Sequence, residues 1–279
     1  MTEPFTFKAG GGPLLVSMPH VGTLVPEALA ARMTALGKTV PDTDWHLDRL
    51  YDFLDPLDAS VLAATQSRYV IDLNRAPDDR PLYPGASNTG LCPVTSFGEE
   101  AIYLDGQEPD AAEIEARKDR VFRPYHERLS RALAAIGERH GYALLWEAHS
   151  IRSRVPRFFE GRLPDLNLGT AGGRSADPGL VARLAAVAEA AEGYSHAVNG
   201  RFKGGYITRS FGNPAERVQA VQLELSQITY MDEAPPFGFR DDLAAGIRPV
   251  LRRFLEAALA WAREVKGDVT GRHDRPPAG

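Results

Sequence analysis

The chain has 279 residues, 43% of them hydrophobic and 25% charged, the balance of a globular protein with enough length to bury a sizeable core. A formal net charge of −5 argues against indiscriminate nucleic-acid binding, and a lone cysteine, Cys92, excludes an internal disulfide and any cysteine-rich metal site. No stretch approaches the roughly 18 consecutive apolar residues of a membrane span. Met1-Thr2-Glu3-Pro4 shows no basic segment leading into an apolar one, so a cytoplasmic protein is expected.

In chain order, an apolar run predicts a strand over 13–17, followed by short amphipathic helices over 24–36 and 44–55. Strands are expected over 60–64 and 68–73. The longest helical stretch covers 110–139, with Ile114, Val121, Tyr125, Leu129, Leu133 and Ile136 at helical spacing and Pro124 placed to kink or split it near Phe122. A strand over 142–146 comes next. An Ala-rich helix over 177–191 opens at Asp177-Pro178. Strands over 197–199 and 218–225 precede a C-terminal helix over 241–264, in which Leu243, Ile247, Leu251, Leu255 and Leu259 step by four.

Strands alternating with helices imply an α/β fold, with a mixed but mainly parallel sheet covered by helices on both faces. One domain over 1–265 is expected, followed by a disordered Gly-, Pro- and charge-rich tail over 266–279. Two polar segments, 75–107 and 150–175, interrupt the alternation. Both follow a strand and read as functional loops or lids.

Three apolar runs lead into residues that can bind metal or carry protons. The first reaches His20, the second Glu147-Ala148-His149, and the third Glu224. Ligands gather at the carboxyl ends of parallel strands, so these residues are candidates for one shared site. A lone histidine is as easily a hydrogen-bonded turn residue. Two of them at strand ends, beside Gly22, Ala148 and Ser150, point to a metal. A catalytic zinc takes three protein ligands and leaves one position open, so a third ligand is needed. Asp44 or His46 can supply it. On a helix these two face different sides, and only one can reach the ion.

Glu224, between Leu223 and Leu225, is costly as a buried carboxylate unless it is paired or acts as a general base. Glu147 shares a strand face with His149 and could be the base or a partner of that histidine. Asn74-Arg75 offers a planar fork and an amide to a substrate carboxylate, and Asp72 could orient a neighbouring arginine. Arg209, after the Gly204-Gly205 pair, is a further anion-binding candidate.

Six blocks resemble the N-formylglutamate deformylase (N-formylglutamate amidohydrolase) family. They are Ser17-Met18-Pro19-His20-Val21-Gly22, Asp42-Thr43-Asp44-Trp45-His46, Ser67 through Arg75, Glu147-Ala148-His149-Ser150, Leu163 through Thr170, and Phe202 through Arg209. The family is distantly similar to zinc carboxypeptidases, which implies a phosphorylase/hydrolase-like fold. The resemblance implies an amidohydrolase that releases formate from N-formyl-L-glutamate in histidine degradation, with one divalent ion, zinc; charge and hydropathy add the expectation of neither nucleic acid nor membrane as partner. Carried over by motif, His20, Asp44 and His149 hold the metal, Glu224 is the base, and Asn74 and Arg75 bind a substrate carboxylate; Arg209 is expected beside them as a substrate-binding residue. Arg68 or Arg209 would stabilise the oxyanion. The carboxypeptidases' His-x-x-Glu ligand pair is absent, since His20-Val21-Gly22-Thr23 lacks the acid. Two competing expectations are a peptidase of the carboxypeptidase type and a non-catalytic binder of acidic metabolites.

Overall fold

The computed structural model describes residues 3–81 and 88–273, with side chains described as far as Val265. Seven strands form one sheet in the order β1-β3-β2-β4-β7-β5-β6. They are β1 (Phe5–Lys8), β2 (Leu14–Met18), β3 (Ser60–Ala64), β4 (Ala143–Ile151), β5 (Leu166–Gly169), β6 (His196–Val198) and β7 (Val218–Ser226). The central strands β3, β2, β4 and β7 run parallel, while β1 joins β3 and β5 joins β7 antiparallel. The helices are α1 (Glu27–Ala30), α2 (Ala35–Lys38), α3 (Leu47–Leu50), α4 (Ala111–Arg117), α5 (Arg123–His140), α6 (Pro178–Glu189), α7 (Tyr206–Phe211) and α8 (Asp241–His273). No described helix is long and apolar enough to cross a membrane.

Each face of the sheet buries a separate core, as alternation along β4 requires. Leu144, Trp146 and Ala148 pack with Leu184 of α6 and with Ile247, Leu251 and Phe254 of α8. Leu145 packs on the other side with Tyr125, Leu129 and Leu133 of α5. The expected long helix is divided where Pro124 demanded it. A π-helical turn over Lys118–Phe122 separates α4 from α5 and places the proline in the first turn of α5, where its missing N–H costs nothing.

The structure departs from the sequence reading in four places. Residues 68–73 form turns rather than a strand: Val70 N–H donates to Ser67 O at 2.8 Å and Asp72 N–H to Leu91 O at 2.7 Å. Their apolar pattern reflects enclosure on all sides, since Tyr69, Val70, Ile71 and Leu73 are all buried. The segment read as a loop over 150–175 contains β5, paired to β7 from Leu166↔Leu225 to Gly169↔Gln222. Strand β1 went unread. The helices expected over 24–36 and 44–55 shrink to single turns. Part of the loop 75–107, residues 82–87, lies outside the described residues, as does the end of the tail from residue 274; α8 itself continues to His273.

Candidate active site

Adjacent parallel strands β2, β4 and β7 carry the three residues singled out at apolar-run ends. His20 follows β2 after one intervening residue, Pro19, and His149 and Glu224 face each other across the β4–β7 register. The apolar stretch 142–146 marks only the first half of β4. Glu147, His149 and Ser150 continue it as buried polar residues.

Asp44 arrives on the turn before α3. Its N–H donates to His20 O at 3.0 Å, and its Oδ2 accepts the Ser150 N–H at 3.1 Å. The carboxylate is thereby pinned between the segment after β2 and the end of β4. The Nδ1 atoms of both imidazoles turn toward it, His149 Nδ1 at 2.9 Å and His20 Nδ1 at 3.8 Å from Oδ2. One ligand atom from each of His20, Asp44 and His149 lies within 4.8 Å of the others, and all three residues are buried. His46 takes no part. It adopts a left-handed backbone (φ 61°) and turns its Nε2 to Phe237 O at 2.7 Å, leaving Asp44 as the carboxylate brought to the imidazoles.

The remaining ring nitrogens meet carboxylates. His20 Nε2 lies 2.7 Å from Asp72 Oδ1, and His149 Nε2 lies 2.9 Å from Glu147 Oε1. An ionised carboxylate only accepts, so in His20 the Nε2 carries the proton and Nδ1 is presented to the triad, whereas His149 meets a carboxylate at each nitrogen, Asp44 at Nδ1 and Glu147 at Nε2. His20 Nδ1 is buried and has no hydrogen-bond partner. An orphaned ring nitrogen aimed at a second imidazole and a carboxylate fits a divalent metal site. Burial, reinforced by Arg68, lowers the His20 pKa and keeps the ring neutral. Burial opposes charge on His149 as well, but Asp44 and Glu147 outweigh it and raise that pKa well above the ordinary value.

Glu147 and Glu224 sit in different surroundings. Glu147 is fully buried, and its second oxygen accepts both the N–H and the hydroxyl of Thr208, so it is spent on holding His149. Glu224 lines the cavity, receives one hydrogen bond from Gln222 Nε2 at 3.2 Å, and has its carboxyl pushed up to about 8 by burial.

The cavity beside the triad measures about 100 Å³ and reaches Asn74, Arg75 and Arg68. Asn74 Nδ2 sits 3.0 Å from His149 Nε2, and its Oδ1 accepts the Ile207 N–H of α7 at 2.9 Å. Gly205 makes this approach possible, because a Cβ there would lie 2.2 Å from Asn74 Nδ2. Asp72 does orient an arginine: Arg68 donates to its Oδ2 at 2.6 Å, and Arg75 Nε is 3.8 Å away. Burial alone would raise the Asp72 pKa, but Arg68 and His20 hold it well below the carboxylate range.

Arg209 does not line the cavity; its Nε turns back to Gly204 O at 2.8 Å. The cavity is lined instead by Arg201, with Phe97, Phe158 and Phe202. None of these was anticipated. Gln222 was legible, since a second polar residue two positions before Glu224 shares its strand face.

Fold and site together define an α/β hydrolytic enzyme. Residues 12–231 match the family model of N-formylglutamate amidohydrolase, and the chain belongs to that family. It is 55% identical to N-formylglutamate deformylase of Pseudomonas aeruginosa over 95% of this chain and 99% of that one. It is 51% identical to N-formylglutamate deformylase of Pseudomonas putida over 95% and 98%. A crystal structure of N-formylglutamate amidohydrolase from Ralstonia eutropha JMP134 superposes with a TM-score of 0.78 at 28% identity, covering 96% of this chain and all of that one.

Proposed function

We propose that the chain hydrolyses N-formyl-L-glutamate to L-glutamate and formate with the help of one divalent metal ion, zinc, held by His20, Asp44 and His149. The observation that carries this reading is the orphaned Nδ1 of His20 facing Asp44 and His149 in the cavity that Glu224 also lines. The names of the relatives at 51% and 55% identity support the substrate. An ion there supplies Lewis acidity, polarising the formyl carbonyl and acidifying water.

The side chains account for the rest. Glu224 takes a proton from the attacking water and returns it to the leaving nitrogen, a cycle suited to a carboxyl poised near neutrality. Oxygen from water ends in formate, and the amide nitrogen leaves as the amine of glutamate. Arg68, fixed by Asp72 and lying over Phe97 with its Cζ 4.8 Å from the ring centroid, places positive charge where the oxyanion develops. Asn74 and Arg75 hold a substrate carboxylate and set the approach of the formyl group. A cytoplasmic location and a late step of histidine degradation belong to the same reading, as does a single domain over 1–265.

Formate release from N-formyl-L-glutamate, with and without chelator, tests it. Turnover that chelation abolishes and zinc restores is the expected result. Turnover indifferent to chelation, with no bound metal by elemental analysis, would remove the metal from the mechanism. Short peptides hydrolysed in preference to the formyl amino acid would replace the substrate.

A further inference from the structure

Three arginines line the cavity, and two of them are tied to the reacting centre. Arg68 and Arg75 both approach Asp72, which in turn holds His20. The third, Arg201, comes from the connection between β6 and α7 and is placed by other means. Its Nε donates to Phe158 O at 2.5 Å, and its guanidinium lies 5.4 Å from the centroid of Phe202. Phe158 stands edge-on to Phe97 at 5.0 Å. Phe97 also anchors a small apolar cluster with Ile151, Val155 and Leu163, against which Phe158 and Phe202 pack. Arg201 therefore belongs to an aromatic wall of the cavity.

Asp72 is shared between Arg68, Arg75 and His20, and Glu224 is the remaining acidic group among the lining residues. A substrate with one carboxylate is answered by Asn74 and Arg75. N-formylglutamate has a second carboxylate, two methylenes further along its side chain. Its α-carboxylate lies one carbon from the leaving nitrogen, so it must dock close to the triad, where Asn74 sits 3.0 Å from His149. The side chain then extends away from the triad, past walls on which methylenes can pack.

Building on the function proposed above, we infer that Arg201 determines specificity by binding the side-chain carboxylate of the acidic substrate, while Asn74 and Arg75 bind the α-carboxylate. The planar guanidinium fork matches a carboxylate in two parallel hydrogen bonds, and aromatic surroundings with low dielectric strengthen the pair. Such a contact persists from bound substrate to transition state, so its loss appears chiefly in KM.

The test compares kcat/KM for N-formyl-L-glutamate and N-formyl-L-glutamine, which share shape and differ in charge. In Arg201→Gln, the preference of the unmodified enzyme for glutamate should fall by about 30-fold or more, mainly through KM. Arg201→Lys, which keeps the charge without the fork, should retain an intermediate preference. Thermal unfolding establishes that each variant is folded; should Arg201→Gln not fold, Arg201→Lys carries the test by its intermediate drop. A folded variant whose preference stays within about threefold of the unmodified enzyme overturns the assignment. Unmodified enzyme that is active with both substrates but shows no preference overturns it alone. Unmodified enzyme that turns over neither overturns the proposed function as well.

Discussion

The two walls of the cavity are built on different principles. One is made of strand ends: His149 and Glu224 are held by the β4–β7 ladder, and His20 and Asp44 are stitched to it by backbone hydrogen bonds. Its His20 Nδ1, which faces the triad, is buried without a hydrogen-bond partner. The other wall is made of side chains from long connections, Phe97, Phe158, Arg201 and Phe202, gathered around a small satellite cluster. On the proposed function, rigid elements would carry the chemistry, which tolerates little displacement, and loops would carry selection, which tolerates more.

This contrast is sharpest under mutation. The largest effect belongs to the triad. His149→Ala should abolish formate release and lower bound metal below one per chain, measured by assay and elemental analysis together. Retention of both would place the reaction elsewhere.

Glu224→Gln comes next. A proton carrier lost from an intact site should cost roughly 10²- to 10⁴-fold in kcat with metal content unchanged. The same variant has a second readout in metal-free protein. The folded pKa of Glu224 is about 8 against an ordinary 4.5, so the folded state keeps a proton that the unfolded chain has released. Stability is therefore lost as pH rises from about 4.5 to 8, and the glutamine variant escapes that loss. Chelator-treated Glu224→Gln should match the unmodified protein near pH 4.5 and exceed it at pH 8 by up to a few kcal/mol. Parallel stability curves in urea across that range would contradict the assignment.

The groups behind the imidazoles follow. Glu147→Gln and Asp72→Asn should weaken metal binding by about 10- to 100-fold, because each removes the carboxylate that fixes a ring. Titration with a competing chelator measures this. The smallest effect belongs to the loop wall. Phe158→Ala should raise KM for N-formyl-L-glutamate while leaving kcat nearly unchanged, and a large loss of kcat there would erase the division between the walls.

Much of the centre was legible in the chain. Apolar runs ending at His20, His149 and Glu224 located three strands, and the structure sets those strands side by side. Residues 68–75 were read with the wrong backbone but with apt partners, since Asp72 does orient Arg68. Arg209 was singled out because a glycine pair before it suggested close approach, and Arg201 was not considered. Gly205 serves Asn74 instead, Gly204 lies against Thr208, and Arg209 Nε turns back to Gly204 O. The choices between Asp44 and His46, and between Glu224 and Glu147, were open in the sequence and turn on direction: a left-handed His46 points to Phe237, and Glu147 is consumed by Thr208 and His149.

By itself the sequence determined the α/β class, the strand ends that carry chemistry and the family, because periodicity, breakers and short motifs are local properties of the chain. Only the tertiary structure decided which nitrogen of each ring faces Asp44, which carboxylate is left to the cavity, and which arginines share it with Glu224. Those are matters of rotamer and of contacts between residues far apart in sequence, as with Asp44 and His149, and no local pattern encodes them.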